Sequence, residues 1–451
     1  MKKYDEYKDS GVAWIGEVPK HWDITKMNNN CSTITDYVAS GSFADLRKNV
    51  LYLDEPDYAM LIRTADLSSN DRKLPPVYIS KRSYEFLSNS NLFGGEVVLP
   101  NIGASIGNVY MVPKLYKHMS LAPNAIMVKS YGNDKFLYYY FKSKPGVDSL
   151  MLIGMAAAQD KFNKTELRSL KVLVPPLTEQ AAIATYLDTH CAKIDNLISI
   201  QQKRIALLQE LKQSVITHAV TKGLDPNVEM KQSGVEWIGD VPKHWKVCKL
   251  KHYSHIVLGK MLMTSPPKGS EGSYTLEKYL KSKNVGWLQL FLEEDNIDEM
   301  WFNQYEKSIY KLQENDIVMN EGGDIGKVSC WRGVDFDCYI QNSINKITAD
   351  YKRVNAGFLC YWLYNLSSLG YFWSIVSQIS IAHLTKEKLS NSPVVLPPIT
   401  EQAAIASYLD HKCATIDTSI SNAQHQIDLL QEYKQSLITE VVTGKRKVTD
   451  N

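Results

Sequence analysis

The strongest constraint in this sequence is an internal duplication. The thirteen residues SGVAWIGEVPKHW at 10–22 return as SGVEWIGDVPKHW at 233–245. The two phrases differ only at Ala13 against Glu236 and at Glu17 against Asp240. Chance does not preserve a tryptophan-rich phrase in this way, so the sequence predicts a repeated structural unit.

Two further pairs of segments match later in the chain. VPPLTEQAAIATYLDTHCAKID at 174–195 and LPPITEQAAIASYLDHKCATID at 396–417 are identical at sixteen of twenty-two positions. Each is followed by a third match, LLQELKQSVIT at 207–217 and LLQEYKQSLIT at 429–439. The offset is 223 residues for the opening phrase and 222 for the later segments. We therefore predict one module written twice, with a short phrase, a divergent region and a similar second half in each copy.

Size and composition indicate a globular protein. The 451 residues suffice for about two to four domains, and 44% hydrophobic with 22% charged residues is typical of such proteins. No apolar run approaches the ~20 residues that cross a bilayer, and MKKYDEYKDS lacks the apolar core of a signal peptide. Seven scattered cysteines without a C-x-x-C pair favour a reduced, cytoplasmic setting. The net charge of +2 neither indicates nor excludes a nucleic-acid partner, because phosphate contact depends on a local face.

The second half of each module is predicted to be a long helix. It follows a Pro-Pro pair, with Thr178 and Thr400 as expected N-caps, and no glycine or proline interrupts it before Gly223 or Gly444. Apolar residues form a heptad seam, interrupted by Lys212 and Lys434. The seam residues are Ile194, Ile198, Ile205, Leu208 and Val215 in the first copy and Ile416, Ile420, Ile427, Leu430 and Leu437 in the second. A helix of ~40 residues, or ~60 Å, is too long to bury against one small domain. We expect the two helices to pair as an antiparallel coiled coil with the divergent regions at opposite ends.

The divergent regions, about 23–172 and 246–394, share a skeleton but little identity. GGEVVLPNIGASIGNVYMV at 94–112 aligns with ENDIVMNEGGDIGKVSCW at 314–331, each reading as strand, polar glycine-bearing turn and strand. FLYYYFKS at 136–143 aligns with FLCYWLYN at 358–365. The expected fold class is therefore α+β. Two mostly-β domains on one common scaffold carry different surface chemistry and are joined by the two long helices.

A search for catalytic motifs finds none that we recognise. The sequence contains no G-x-x-x-x-G-K-[ST] phosphate loop, no H-E-x-x-H, no G-x-S-x-G and no Asn/Asp-Pro-Pro-aromatic motif of an adenine methyltransferase. Histidines and cysteines show no zinc spacing, so no metal site is predicted. We expect His21 and His244 to pack or hydrogen-bond, and Cys191 and Cys413 to be small buried residues.

The order of these features resembles the DNA-specificity (S) subunit of type I restriction–modification systems. Both the Trp-Ile-Gly-x-Val-Pro-x-His-Trp phrase and the Pro-Pro-x-Thr-Glu-Gln-Ala-Ala-Ile helix occur twice, and the resemblance covers essentially the whole chain. It implies a non-catalytic subunit whose two target-recognition domains each read half of a bipartite double-stranded DNA site. It further implies two modification (methyltransferase) subunits as partners for adenine N6 methylation, and restriction (translocase and nuclease) subunits for cleavage. S-adenosylmethionine, ATP and magnesium would belong to those partners, leaving no cofactor in this chain.

The resemblance also implies a domain layout, in which two recognition domains alternate with the repeated segments. The order is a conserved N-terminal segment 1–22, recognition domain 1 at 23–172, spacer helix 1 at 173–222, a linker with the repeated phrase at 223–245, recognition domain 2 at 246–394, spacer helix 2 at 395–443 and a basic tail 444–451.

Residues that read bases are hard to single out from the sequence. Arg and Lys pair with guanine and Asn with adenine, so the two aligned turns, 101–108 and 320–327, and basic residues of the divergent regions are candidates. They are Arg47, Arg63, Arg82, Asn101, Ser105, Asn108, Asn320, Lys327, Arg332, Asn342 and Lys346. A solvated charge or a phosphate contact explains each of them at least as well. Two competing functions stay open, a coiled-coil adaptor without DNA reading and a fused methyltransferase-specificity enzyme.

Overall fold

The computed structural model describes residues 2–68, 74–155, 160–376 and 383–448. The chain divides into two compact units. Unit 1 comprises Met1–Gln202 and Gln424–Asn451, and unit 2 comprises Lys203–Ala423. Unit 1 is therefore built from both ends of the chain, whereas unit 2 is one continuous segment. Among the described residues, no helix is long and apolar enough to span a membrane.

The strands of unit 1 form a central antiparallel sheet, a second sheet and two strand pairs. In chain order they are β1 Tyr7–Asp9, β2 Glu17–Pro19, β3 Asp23–Lys26, β4 Cys31–Asp36, β5 Ala59–Ile62, β6 Tyr78–Ile79, β7 Asn91–Leu92, β8 Val97–Pro100, β9 Tyr110–Met111, β10 Met119–Leu121, β11 Ala125–Ser130 and β12 Lys171–Val174. The central sheet has the order β4-β11-β8-β9 and the second sheet β6-β5-β10-β7, in which β5 and β10 are parallel. The strand pairs are β1-β2 and β12-β3.

Unit 2 repeats this plan. Its strands are β13 Met230–Gln232, β14 Asp240–Pro242, β15 Lys246–Lys249, β16 Ser254–Leu258, β17 Tyr274–Leu280, β18 Asp298–Asn303, β19 Ile317–Asn320, β20 Val328–Cys330, β21 Tyr339–Ile340, β22 Ile344–Ala349 and β23 Pro393–Leu396. The central sheet β16-β22-β19-β20 corresponds to that of unit 1, and the second sheet β18-β17-β21 again contains one parallel pair, β17 with β21. The pairs β13-β14 and β15-β23 complete the match. The strand–turn–strand alignment of the sequence is confirmed as β8-β9 and β19-β20.

Helices cover one face of each central sheet. The helices are α1 Met27–Asn30, α2 Phe43–Asn49, α3 Thr64–Leu67, α4 Lys81–Phe86, α5 Asp134–Lys142, α6 Lys144–Gly154, α7 Lys164–Ser169, α8 Leu177–Lys222, α9 Gln304–Tyr310, α10 Ala356–Ser368, α11 Tyr371–Ile375, α12 Lys386–Ser390 and α13 Ile399–Val442. Side chains alternate across a strand. Val97 and Leu99 of β8 therefore join the core beneath α5, whereas Val98 joins the core beneath the second sheet. In unit 2, Ile317 and Met319 of β19 likewise join one core, and Val318 joins the core on the other side of the sheet.

The two long helices confirm the predicted element type. α8 has 46 residues and α13 has 44, or about 69 and 66 Å at ~1.5 Å per residue. The expected N-caps were wrong, because the helices begin at Leu177 and Ile399, before Thr178 and Thr400. The first helical bonds run from Gln180 N to Pro176 O and from Gln402 N to Pro398 O, so each proline pair adjoins the helix where backbone donors lack helical partners.

Within each unit the start of one long helix runs antiparallel to the end of the other. In unit 1, Lys434 of α13 binds Asp195 of α8 at 2.6 Å. In unit 2, Lys212 of α8 binds Asp417 of α13 at 2.7 Å. The lysines that interrupt the apolar seam therefore meet aspartates of the facing helix. The α+β fold class, with two mostly-β domains and two long helices, is confirmed.

Candidate nucleic-acid interface and partner surface

The repeated phrase and the repeated Pro-Pro-x-Thr-Glu-Gln segment form one joint, present in each unit. In unit 1, Glu179 accepts hydrogen bonds from Trp22 Nε1 at 3.0 Å and Tyr4 Oη at 2.8 Å, and it pairs with His21 Nε2 at 2.6 Å. Burial alone would raise the pKa of Glu179, but these hydrogen bonds and the nearby His21 outweigh it and lower the pKa. The prediction that His21 forms hydrogen bonds is confirmed.

The joint of unit 2 repeats the tryptophan and histidine contacts. Glu401 accepts from Trp245 Nε1 at 3.1 Å and pairs with His244 Nε2 at 2.8 Å. Both Trp22 and Trp245 are fully buried. Each copy of the phrase therefore anchors the start of a long helix through an equivalent glutamate, Glu179 or Glu401.

The glutamine that follows fixes the variable domain to the helix. Gln180 is buried; its Nε2 donates to Pro175 O at 2.8 Å and its Oε1 accepts from Asn133 N at 2.9 Å, immediately before α5. Gln402 makes the same bonds to Pro397 O and Asn355 N, immediately before α10. A buried amide satisfied on both sides holds each domain at one orientation on its helix.

A glycine at the end of each long helix closes the joint. Gly444 follows α13 at a φ of +73°, and a Cβ there would lie 2.3 Å from the Pro19 ring. Gly223 follows α8 at a φ of +80°, with Trp245 3.2 Å from the Cβ position. Both positions combine left-handed backbone with close packing, which only glycine accommodates without strain.

The aligned turns of the two variable domains share their backbone. Residues 101–108 follow β8 and residues 320–327 follow β19, and each turn contains a positive-φ glycine, Gly107 or Gly326. Asn108 N donates to Ser105 O in the first turn, as Lys327 N donates to Asp324 O in the second. Both turns contact the segment that precedes α7 or α12, through Gly103 N to Asp160 O at 2.8 Å and Leu384 N to Glu321 O at 2.7 Å.

The two turns share Asn, Gly, Ile and Gly at four matching positions and differ at the other four, which include the polar and charged side chains nearest to solvent. In unit 1 the turn presents Ile102 and Asn108 to solvent, with Ser105 half-buried, beside the exposed Lys161, which forms a β-bridge with Ile102. In unit 2 the turn is charged. Asp324 and Lys327 form an ion pair at 2.5 Å. Glu321 is half-buried, and burial raises its pKa although the nearby His383 opposes this shift.

Three predicted DNA contacts donate hydrogen bonds to backbone carbonyls within their own domains. Asn101 Nδ2 donates to Phe162 O at 2.8 Å. Asn320 is fully buried and donates to Ser282 O at 3.1 Å. Lys346 is buried as well; its amine donates to Ile309 O at 2.7 Å and Lys311 O at 2.8 Å, and burial lowers its pKa. Asn320 and Lys346 are thus inaccessible to DNA in this structure, and we withdraw both as contacts.

The remaining candidates lie at or near the surface. Arg47 on α2 and Arg82 on α4 are exposed. Arg63 makes two bonds to Asp66, at 2.7 and 2.9 Å, and one to Pro75 O at 2.8 Å, so its guanidinium is already engaged. Arg332 is exposed, 3.5 Å from Asp410, and Asn342 is half-buried.

Glu321, His383 and Lys161 also lie on or beside the aligned turns, although the sequence did not single them out. Glu321 belongs to the aligned turn itself, but its carboxylate fits neither the pairing of Arg and Lys with guanine nor that of Asn with adenine. Lys161 and His383 occupy equivalent places before α7 and α12, in segments whose contact with the turns is a long-range property of the fold.

The ten seam residues are all buried or half-buried. Ile194, Ile416, Ile427 and Leu437 are buried. The half-buried members are Ile198, Ile205, Leu208, Val215, Ile420 and Leu430. Cys191 and Cys413 lie buried beside them, and burial raises the pKa of both thiols. Neither cysteine has the low pKa of a reactive thiol, which agrees with the prediction of packing residues.

A common frame carrying two unlike surface turns defines a duplicated binding scaffold. The family described as "Type I restriction modification DNA specificity domain" matches residues 37–209 and residues 242–427, once in each module. These matches cover most of the chain, which therefore belongs to this family.

Individual relatives agree in sequence and in fold. The chain is 25% identical over 448 residues to the putative type I restriction enzyme MjaX specificity subunit of Methanocaldococcus jannaschii, covering 96% of both chains. A solved chain from a study of complex assembly and conformational transition in the type I restriction–modification system has a TM-score of 0.69 at 13% identity, covering 95% of this chain and 99% of that one. The HsdS subunit from Thermoanaerobacter tengcongensis gives a TM-score of 0.52 at 14% identity, covering 95% and 98%.

Proposed function

We propose that this chain sets a bipartite DNA target for a type I restriction–modification complex, with the variable domain of each unit reading one half-site. The observation that carries the proposal is the pair of turns 101–108 and 320–327. They share backbone geometry and supporting contacts, yet one presents neutral side chains and the other charged ones. Such an arrangement suits two readers that recognise different base sequences in the same manner.

The chemistry of each turn suggests what it reads. Carboxylates accept hydrogen bonds from the exocyclic amino groups of cytosine and adenine, which suits Glu321 and Asp324. Apolar side chains contact the thymine methyl group, and Asn pairs with adenine, which suits Ile102 and Asn108. Lys161 and His383 stand beside the turns, where a cation can bind a phosphate and fix the register.

The proposed DNA contacts comprise two sets. The candidates kept from the sequence are Ser105, Asn108, Lys327, Arg47, Arg82, Arg332 and Asn342. The residues added from the structure, on or beside the turns, are Ile102, Lys161, Glu321, Asp324 and His383. Asn101 holds its turn in place. Arg63 contacts DNA only if it leaves Asp66.

The repeated frame is proposed to bind two modification subunits, because identical surfaces on both units suit two copies of one partner. Restriction subunits would join that complex. The partners would supply S-adenosylmethionine, ATP and magnesium chemistry, and this chain would transfer no methyl group itself. We further propose that it acts in the cytoplasm and keeps the domain layout predicted from the sequence.

The test exchanges the chemistry of one turn. The variant Glu321→Ile, Asp324→Ser, Lys327→Asn gives unit 2 the side chains of unit 1, and methylation is mapped across the genome of cells that express the complete system. We expect the half-site read by unit 2 to change or to lose methylation while the other half-site stays constant. Each lost base contact is worth about 1–3 kcal/mol, or roughly 5- to 150-fold in discrimination.

The reciprocal variant Ile102→Glu, Ser105→Asp, Asn108→Lys is the matched control and should alter only the other half-site. Unchanged methylation in both variants would refute the assignment of the turns. Wild-type chain that joins a complex without directing methylation to any sequence would support the adaptor alternative. Methyl transfer by the purified chain alone would support the fused-enzyme alternative.

A further inference from the structure

Each unit exposes one tryptophan from the repeated phrase. Trp14 is 41% exposed and Trp237 is 44% exposed, whereas Trp22 and Trp245, in the same phrases, are fully buried. The exposed tryptophans lie in loops 10–17 and 233–240, which we call the docking loops. They connect β1 to β2 and β13 to β14.

Backbone hydrogen bonds and buried aliphatic side chains hold the docking loops in their conformation without the indoles. In unit 1, Ile15 N and Gly16 N donate to Val12 O, and Ser10 N donates to Gly16 O. The same bonds join Ile238, Gly239, Val235 and Ser233 in unit 2. Val12 and Ile15 supply the buried contacts of the loop. The indole of Trp14 thus adds little to the core, yet both modules keep it.

We infer that the docking loops are anchor points for the modification subunit, one copy on each unit, with Trp14 and Trp237 inserting into a pocket of that partner. This inference rests on the proposed function, which supplies the partner. Exposed tryptophans that enter a partner's pocket are among the side chains that contribute most to binding.

Charge favours a protein over DNA at these loops. Glu17 and Asp240, both exposed, are acidic at equivalent positions three residues after the tryptophan, and unit 2 adds the exposed Glu236. Among the described residues, the one amine that bonds to this part of the loop, Lys222 Nζ, donates to the backbone carbonyl of Asp240 and leaves its carboxylate uncompensated. An acidic rim repels a phosphate backbone, whereas it suits a partner pocket lined by apolar residues and edged by basic ones. The loops also match in the two units, unlike the turns proposed to read different sequences.

Symmetry argues against a second copy of this chain as the occupant. A chain with two separate self-associating patches forms open polymers unless its geometry closes a ring. Two copies of a different protein give a closed assembly. A tryptophan buries at most ~250 Å², against ~800 Å² per partner in a typical interface, so the loop is one anchor within a larger surface.

The experiment measures assembly of the full-length chain with purified modification subunit by light scattering after size-exclusion chromatography and by titration calorimetry. We expect wild-type chain to bind two copies. Trp14→Ala and Trp237→Ala should each weaken one site by about 30-fold, the effect of a typical hot-spot residue, and the double variant should weaken both. Trp14 lies outside the core and Trp237 makes an edge-on contact with Tyr371, with 6.3 Å between ring centroids, so thermal unfolding should stay close to that of wild type.

Trp287→Ala is the matched control, because Trp287 is 45% exposed but lies in the variable domain of unit 2. It should bind two copies with wild-type affinity. The substitution Ala13→Glu, which copies the other module, should also leave binding unchanged. Two full-affinity sites in the double variant, or an equal loss in Trp287→Ala, would overturn the inference. Loss of restriction subunits alone would overturn the choice of partner, and wild-type chain that binds no modification subunit would overturn the proposed function itself.

Discussion

Glu179 shows how one residue links segments that are distant in sequence. Its carboxylate accepts from Tyr4 and Trp22 and pairs with His21, so the beginning of the chain is fastened to the start of α8. Hydrogen bonds to the ionised form hold its pKa below the ordinary value of 4.5, despite the opposing effect of burial. A carboxylate with a lowered pKa stabilises the fold above its ordinary pKa, and this contribution is lost as pH falls through the folded-state value.

Replacing Glu179 tests this link. We expect Glu179→Gln to lower the free energy of unfolding of unit 1 by about 1–3 kcal/mol at neutral pH, because buried donors lose a charged acceptor. We also expect a shallower loss of stability than in wild type as pH falls below 4.5. Urea titrations across pH measure both effects. Glu6→Gln is the control, since Glu6 forms an exposed pair with Lys20 that is worth at most about 1 kcal/mol. An identical acid dependence of Glu179→Gln and wild type would contradict this role.

Residue identity alone did not reveal this joint, or which of the candidate DNA contacts are buried. Nothing in a linear sequence brings Trp22 to Glu179. Lys346 lies in β22, where a lysine that alternates with Asn345 and Ile347 suggests a solvent-facing position. Its long side chain instead reaches the carbonyls of Ile309 and Lys311 inside the domain. Such outcomes depend on tertiary contacts that periodicity does not encode.

The helical elements were far more predictable. A seam with heptad spacing identifies which face of a helix is covered, and every residue of the predicted seam is at least half-buried. Periodicity does not say how deeply each position is covered. Leu437 is only 1% exposed because it lies in the core of unit 1, whereas Leu208 lies about two-thirds of the way along α8 and is half-buried.

The depth of burial predicts unequal mutational effects along the seam. Leu437→Ala should destabilise unit 1 by about 2–5 kcal/mol, the range for a fully buried leucine. Leu208→Ala should cost roughly half as much or less, because its side chain loses less buried area. Chemical denaturation of the two variants compares them directly. A larger effect for Leu208→Ala would contradict the burial described here.

At the scale of the whole molecule, the internal duplication made the fold class predictable from the sequence. Two copies of one pattern had to give two similar domains, and the matching strand orders of both central sheets agree with this. The sequence did not predict which segments complete each unit, because this depends on how the long helices pair. Unit 1 needs Gln424–Asn451 from the far end of the chain.

Because unit 1 includes Gln424–Asn451, a truncation before this segment should affect unit 1 selectively. A chain ending at Ala423 removes Leu437, Ile438, Val441 and Val442 from the core of unit 1 but leaves unit 2 intact. We expect backbone amides of α5 and β12 to lose protection in hydrogen exchange while those of α10 and β23 keep it. Equal loss of protection in both units would show that they are not separate folding units.

The contribution of the last segment to the first unit has a consequence for biosynthesis. Domains usually fold in the order in which they leave the ribosome. Here the unit that is begun first is completed last, because its core waits for the residues around Leu437 and Val441. The second unit starts later, but all of its residues are synthesised before the last segment of the first unit. The nascent chain must therefore carry an unfinished first domain while the whole second unit is synthesised, until the last turns of α13 emerge.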